Sequence, residues 1–248
     1  MGNDGRRLLI RPGAIGDVIL SLPELESARA DYTEVWAPRA TLPLIRFADR
    51  TRAIIDTGIE LVGVTENARV RELESFDSIF SWYGTNRPEF RAAVSDLPFT
   101  FFPALPIATG KAPCIPVPAA PLADFAVIHP FSGSAKKNWP REKFRAVAER
   151  LEMPVRWSAG PEEPLEGAAR FEDLYELACW LSTARVYIGN DSGITHLASA
   201  VGTPVVAIFV STDPVEWAPR GPRVAVLRNP RVEEVITAAR SIRREPSQ

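Results

Sequence analysis

The amino-acid sequence predicts an α/β protein made of two doubly wound halves facing a cleft. Three observations predict it. Short apolar runs alternate with helix-period stretches, the grammar of parallel strands joined by covering helices. That grammar occurs twice, and small-residue loops follow several of the runs. A proline-rich stretch from Phe99 to Pro121, including Pro103, Pro106, Pro113, Pro116 and Pro118, separates the two occurrences. Proline fixes φ and removes a donor, so this stretch reads mainly as extended linker. The resulting domains are 1–115 and 116–248.

The first half opens on Leu8–Ile10, a short apolar strand. Gly13 and Gly16 follow, and Ser21-Leu22-Pro23-Glu24 reads as a helix start, with Ser21 as N-cap and Glu24 as the capping-box acid. Further strands are expected at Glu34–Ala37, Ala53–Asp56 and Ser78–Trp82, with helices around 41–49 and 87–95. The second half begins with a strand at Phe125–His129. A Gly/Ser/Lys loop leads to a helix over 140–151, with Pro140 suited to the first helical position. Val155–Ser158 is the next strand, and Asp173–Ser182 carries helical periodicity through Leu174, Leu177, Ala178 and Leu181. Strand Val186–Ile188 runs into a short helix over 194–200, closed by Gly202. Val205–Phe209 and Val224–Leu227 complete the strands. The last helix, about 232–243, is a candidate to pack back on the N-terminal domain.

The bulk numbers narrow the function. The chain has 248 residues, 46% hydrophobic and 24% charged, as in a globular protein with ample core. A net charge of -2 provides no global field for nucleic acid. No run approaches the roughly 18 apolar residues of a membrane span, and Leu8–Ile10 is too short for a signal peptide, so the cytoplasm is expected. Cys114 and Cys179 lie far apart without metal spacing and read as two free thiols.

Ligands of doubly wound sheets sit beyond the carboxyl ends of the strands. The loops to search are therefore 11–17, 130–139, 159–163, 189–193 and 210–217. Loop 130–139 reads Pro-Phe-Ser-Gly-Ser-Ala-Lys-Lys-Asn-Trp. Small residues let backbone N–H groups approach an anion, and a lysine adds a point charge. A solvated loop with surface lysines is the plainer alternative. Gly189-Asn190-Asp191-Ser192-Gly193 precedes a helix whose N-terminus favours phosphate, with His196 on its first turn. Asp191 or Ser192 as a simple cap is the alternative there. In Arg11-Pro-Gly-Ala-Ile-Gly-Asp17, Gly13 and Gly16 permit a tight turn. Asp17 then reads either as a cap or as a general base over the cleft.

These strings resemble glycosyltransferase family 9, the ADP-heptose:lipopolysaccharide heptosyltransferases. The resemblance rests on 9–23, 129–140, 188–198 and 202–217, the last including Thr212-Asp213-Pro214 and Trp217. It implies the GT-B architecture, two Rossmann-like domains with the acceptor on the N-terminal one and the nucleotide-sugar on the C-terminal one. It also implies inverting transfer without a metal or other cofactor, and no Asp-x-Asp string occurs. By resemblance, Asp17 is the catalytic base. Ser132, Gly133, Ser134 and Lys137 form one diphosphate loop, and Asp191, Ser192, Gly193 and His196 form the second. Glu163 or Glu162 is the candidate for holding the ribose. The segment Pro161–Arg170 is abbreviated relative to the family's helix and strand.

The implied partners are a nucleotide-sugar, with an ADP-sugar favoured, and a glycan or lipid-linked acceptor. Peripheral contact with the inner membrane is an expectation to which Arg240, Arg243 and Arg244 contribute. The alternatives are a non-catalytic nucleotide-sugar binder and a nucleotide-sugar epimerase. A dehydrogenase is disfavoured, because no Gly-x-Gly-x-x-Gly follows a strand.

Overall fold

A computed structural model gives the structure of the chain and describes residues 5–65, 70–103 and 111–244. Part of the expected linker, including Pro106, lies outside the described residues. The chain falls into two compact units, Met1–Lys111 and Ala112–Gln248.

In the first unit the strands are β1 (Arg6–Ile10), β2 (Tyr32–Ala37), β3 (Arg50–Ala53), β4 (Ser78–Ser81) and β5 (Phe99–Phe101). They form a parallel sheet in the order β3-β2-β1-β4-β5. Leu8–Ile10 and Val35–Ala37 are buried, as strands covered on both faces must be. Helix α1 (Ile15–Ser27) leaves β1 almost at once, and α2 (Pro88–Ala93) follows β4. One face of the sheet carries Leu8, Ile10 and Ile79 into a core with Trp36, Leu73 and Phe90.

Four expectations are corrected here. Helix α1 starts at Ile15, so Ser21 and Glu24 lie inside it rather than capping it. The Ser-Leu-Pro-Glu string mimics a helix start, but Asp17 already supplies the N-terminal acid by accepting from Ala14 N–H at 2.8 Å. Pro23 is accommodated within the helix. The strand expected at 53–56 lies at β3, while Ile54–Asp56 is a 3-10 turn that leaves Ile55 71% exposed. Its register with Glu34–Ala37 lets a polar edge strand pair where apolar content pointed three residues on. The helix expected over 41–49 is a 3-10 segment, Arg39–Leu44, interrupted by Pro43. Phe99–Phe101 is a strand beside β4, not linker.

The second unit has β6 (Ala126–His129), β7 (Val155–Trp157), β8 (Val186–Asn190), β9 (Val205–Phe209) and β10 (Val224–Arg228). They run parallel in the order β10-β9-β8-β6-β7. The helices are α3 (Arg141–Arg150), α4 (Leu174–Ser182), α5 (Gly193–Ala200), α6 (Pro214–Trp217) and α7 (Val232–Ile242). Pro140 sits one residue before α3, as its N-cap. Asp173 caps α4 through Tyr175 and Glu176 N–H. Strands β6, β8 and β9 are buried throughout. Helix α7 belongs to this unit's core, lying against α3 and against β8, β9 and β10.

Strand order locates the ligand crevice in each unit. In the first, the chain moves from β1 outward to β3, then returns to the other side of β1 at β4. In the second it moves from β6 to β7, then returns to β8. The crevice opens where successive connections leave in opposite directions. It is thus flanked by the loops after β1 and β4 in one unit, and by those after β6 and β8 in the other.

Candidate active site

In the first unit the turn after β1 is shaped by Gly13, whose φ is +120°. A Cβ at this position lies 2.8 Å from Asp17 Oδ2 and 2.9 Å from Asp17 Cβ. The glycine is therefore what lets Asp17 fold back over the turn. Asp17 is half-buried and sits in the first turn of α1, two residues after Ile15. Gly16 precedes it on the same turn. Beneath lies Arg11, 1% exposed. Its Nε donates to Ser21 Oγ at 2.8 Å and its terminal nitrogens to the Pro12 and Asp17 carbonyls. Burial lowers the guanidinium's pKa, opposed by the charges of Asp17 and Glu24. Arg11 thus anchors the backbone that carries Asp17. Across the crevice Trp82 donates its backbone N–H to the Ile10 carbonyl at 3.0 Å and stacks on Phe102.

We expect Gly13→Ala to lower the first unit's stability by about 1–3 kcal/mol, the usual cost of a side chain forced into such a conformation. A urea titration reads this directly, and an unchanged midpoint would show the turn to be adaptable.

In the second unit the two loops expected from the sequence are brought together. Because β6 and β8 are neighbours, with His129 beside Gly189, the chains leaving them run side by side. Three contacts tie them. Lys137 Nζ donates to Asp191 Oδ2 at 2.8 Å. Buried Asn190 accepts from Trp139 N–H at 2.8 Å and donates to Asn138 Oδ1 at 3.4 Å. Ser132 Oγ lies 2.7 Å from that same Asn138 oxygen and 2.8 Å from the Ser134 carbonyl, so the hydroxyl knits its own loop. Gly133 is exposed, and a Cβ there would meet open space. Packing does not demand glycine at this point, and its absence of side chain leaves the backbone open to an approaching group.

Ser192, not Asp191, caps α5, accepting from Thr195 N–H at 3.3 Å. Asp191 is 5% exposed, and its Oδ2 takes a second hydrogen bond, from Thr212 Oγ1 at 2.7 Å. Thr212 comes from the loop after β9, capped onward by Asp213 at the start of α6. Gly193 begins α5 and His196, 5% exposed, lies in its first turn. Below, Tyr187 is fully buried and its hydroxyl lies 3.2 Å from Thr195 Oγ1. Burial pushes this phenol far up, partly offset by its hydrogen bonds to Thr195 and Ser192.

Glu163 stands past the end of β7, where Gly160 N–H donates to its Oε2 at 2.6 Å. His129 Nε2 is 3.8 Å from that oxygen, and its Nδ1 is 3.0 Å from the Ser158 carbonyl. Burial lowers the imidazole's pKa, against the pull of Glu163 and the Ser158 carbonyl. Glu162 is exposed. Arg170 closes the abbreviated segment by donating to the Gly160, Glu163 and Leu165 carbonyls.

Arg11, Asn138, Asn190 and Thr212 were not singled out by the sequence. Asn138, Asn190 and Thr212 lie inside the quoted strings, yet only the fold reveals that their side chains join the loops. Among the described residues no group of three His, Cys, Asp or Glu side chains could hold a metal ion. No described helix is long and apolar enough to cross a membrane. Two arginines expected at a membrane surface are engaged within the protein. Arg240 pairs with Glu152 at 2.9 Å, and Arg244 donates to the Ser182 and Gly202 carbonyls. Cys114 and Cys179 are free thiols.

Residues 118–243 match the family model of glycosyltransferase family 9 (heptosyltransferase). A curated relative, lipopolysaccharide heptosyltransferase 3 of Escherichia coli strain K12, is 31% identical over 114 residues. That alignment covers 38% of this chain and 33% of the relative, so it spans about a third of the relative's length. The solved structure of a family 9 glycosyltransferase from Veillonella parvula superposes with a TM-score of 0.73 at 16% identity, covering 98% of each chain. That of the E. coli ADP-heptose lipopolysaccharide heptosyltransferase II gives 0.68 at 13% identity, covering 96% of this chain and 98% of that one. The fold expected from the sequence, two parallel sheets wound with helices as in the GT-B class, is the fold of these structures.

Proposed function

The chain belongs to glycosyltransferase family 9, the heptosyltransferase family, and from that premise we propose that it is an inverting, metal-independent glycosyltransferase. The donor is a nucleotide-diphosphate sugar, with an ADP-sugar, heptose included, favoured because the E. coli protein of the same fold is an ADP-heptose lipopolysaccharide heptosyltransferase. The acceptor is a hydroxyl of a glycan or lipopolysaccharide-type molecule. The one observation that carries this reading is the junction at the β6/β8 crevice. There Lys137 is held at 2.8 Å from Asp191, beside the small-residue loop 132–134 and the N-terminus of α5.

The diphosphate lies along this junction. Lys137 supplies the point charge, and loop N–H groups with the first turn of α5, including Gly193, supply directed donors. Ser134, Ser192 and His196 are the polar side chains at its margin, and Ser132 keeps the loop in shape. Glu163 takes the ribose hydroxyls, its carboxylate already fixed by Gly160 N–H. Exposed Glu162 is the second choice.

Asp17 is the base. Its Oδ2 is held by Ala14 N–H, which leaves Oδ1 for the acceptor. The acceptor oxygen forms its bond to the anomeric carbon as Asp17 takes its proton. The bond from that carbon to the diphosphate oxygen breaks, and the electron pair leaves with the nucleoside diphosphate. Charge on the leaving group is met by Lys137, loop N–H groups and α5. The protein works in the cytoplasm, with peripheral contact at the inner membrane if its acceptor is lipid-linked.

Calorimetric titration with ADP, UDP, GDP and their sugar conjugates tests the donor assignment. We expect ADP and an ADP-sugar to bind and the others to bind far more weakly. Binding of no nucleotide at all would sink the donor-site reading. Sugar transfer to a panel of glycan acceptors then separates an enzyme from a binder.

A further inference from the structure

The Lys137–Asp191 contact holds a tension. The ammonium meant for an anionic ligand already donates a hydrogen bond to a carboxylate that is 5% exposed. That carboxylate cannot swing away cheaply, because Thr212 donates to the same oxygen at 2.7 Å and the Asp191 N–H is tied to the Ile208 carbonyl at 3.0 Å. A fixed negative charge therefore stands at the site where the diphosphate binds. A carboxylate without a proton has no hydrogen bond to donate to phosphate, so it adds repulsion as well as holding the lysine.

The substrate and product of the proposed reaction differ in charge. Each phosphate of a nucleotide-sugar is substituted twice, by one ester and one anhydride link, and carries one negative charge. Once the sugar is gone, the terminal phosphate has a second ionisation near pH 6 and is almost fully doubly charged at pH 7.5. Asp191 opposes the added charge as it does the first two, and Lys137 and the N-terminus of α5 bring no further positive charge to offset it. At about 6–8 Å and an effective dielectric of about 20–80, one added charge changes affinity by roughly two- to a hundredfold.

We infer that Asp191 sets the site's preference for the diphosphate of a nucleotide-sugar over the free nucleoside diphosphate, and so hastens release of that product. Thr212 acts through it, as a positioning residue. This inference rests on the donor-site reading above.

The test is the ratio of two affinities, for ADP and for ADP-heptose, measured by calorimetry on one preparation, so that any inactive fraction cancels. In Asp191→Asn the ratio shifts toward ADP by about tenfold, or ~1.4 kcal/mol, and steady-state assays show a lower inhibition constant for ADP. Asp191→Ser, a second way to remove the charge, shifts it in the same direction. Asp191→Glu keeps the charge and keeps the wild-type ratio, even if both affinities fall. An unmoved ratio in a charge-removing variant that still binds both ligands overturns the inference alone. Wild-type protein that binds neither ligand overturns the donor-site reading, and the inference with it.

Discussion

Asp17→Asn protein is expected to bind the nucleotide-sugar with near wild-type affinity and to transfer the sugar about 10²–10⁴-fold more slowly, the usual contribution of a placed base. The substitution is close to neutral for the fold. An asparagine carbonyl can still accept from Ala14 N–H, so the closure of α1 at its N-terminus survives, and the Arg11 contacts involve the backbone of residue 17. Asp17→Ala removes the cap as well, at about 0.5–2 kcal/mol, and is expected to abolish transfer while leaving nucleotide binding nearly intact. Donor affinity is read on the second unit by calorimetry and transfer by product formation. Parallel loss of both quantities would count against Asp17 as the base.

Lys137→Met is the second large effect, and it falls on binding. One charge-assisted hydrogen bond to the diphosphate is worth about 1.5–3 kcal/mol, so affinity for the nucleoside diphosphate should drop roughly 10- to 150-fold. Stability falls too, because among the described residues Asp191 keeps only Thr212 as a side-chain partner. That loss should stay below the ~3–5 kcal/mol of a fully buried pair, since the Lys137 side chain is 33% exposed and reaches solvent. The double variant Lys137→Met/Asp191→Asn separates the two effects. It should regain stability in a thermal melt, and of the lost affinity only the part that the unpaired Asp191 charge had cost, not the part that Lys137 itself supplies. A single variant whose nucleotide affinity is unchanged would remove Lys137 from the diphosphate site.

The loops around Lys137 and Asp191 were legible in the sequence for a physical reason. A strand-end loop that must admit an anion needs small residues and a helix start within a few positions, so its signature is local. Asp17 read as a cap or as a base, and the contact visible in the structure is the capping one, with Oδ2 accepting from Ala14 N–H. What is not local was not legible. Thr212 reaches Asp191 across 21 positions, and only the neighbouring places of β8 and β9 bring the two together. Arg11 opens the loop 11–17 with no role of its own until Ser21, ten residues on, is seen as its partner on α1. Ser21 itself was misread because capping-box chemistry and back-bonding inside a helix use the same residue types. In the structure its hydroxyl donates to the Asp17 carbonyl one turn earlier. β3 and β5 were displaced or missed because short edge strands take their stability from the neighbour's ladder, and polar or proline-flanked sequence suffices for that.

The outer side of β7 bears on how this protein behaves when concentrated. β7 is an edge strand of only three residues, and an open edge invites pairing with another chain. The abbreviated segment shields it. Ser158 forms a parallel bridge with Ala169, and Ala169 both donates to the Trp157 carbonyl and accepts from Ala159 N–H. The same Arg170 that closes the Glu163 loop holds the chain in place for this. A segment too short to be a strand and helix thus serves as a selvedge for the sheet, and one arginine ties that border to the loop carrying Glu163.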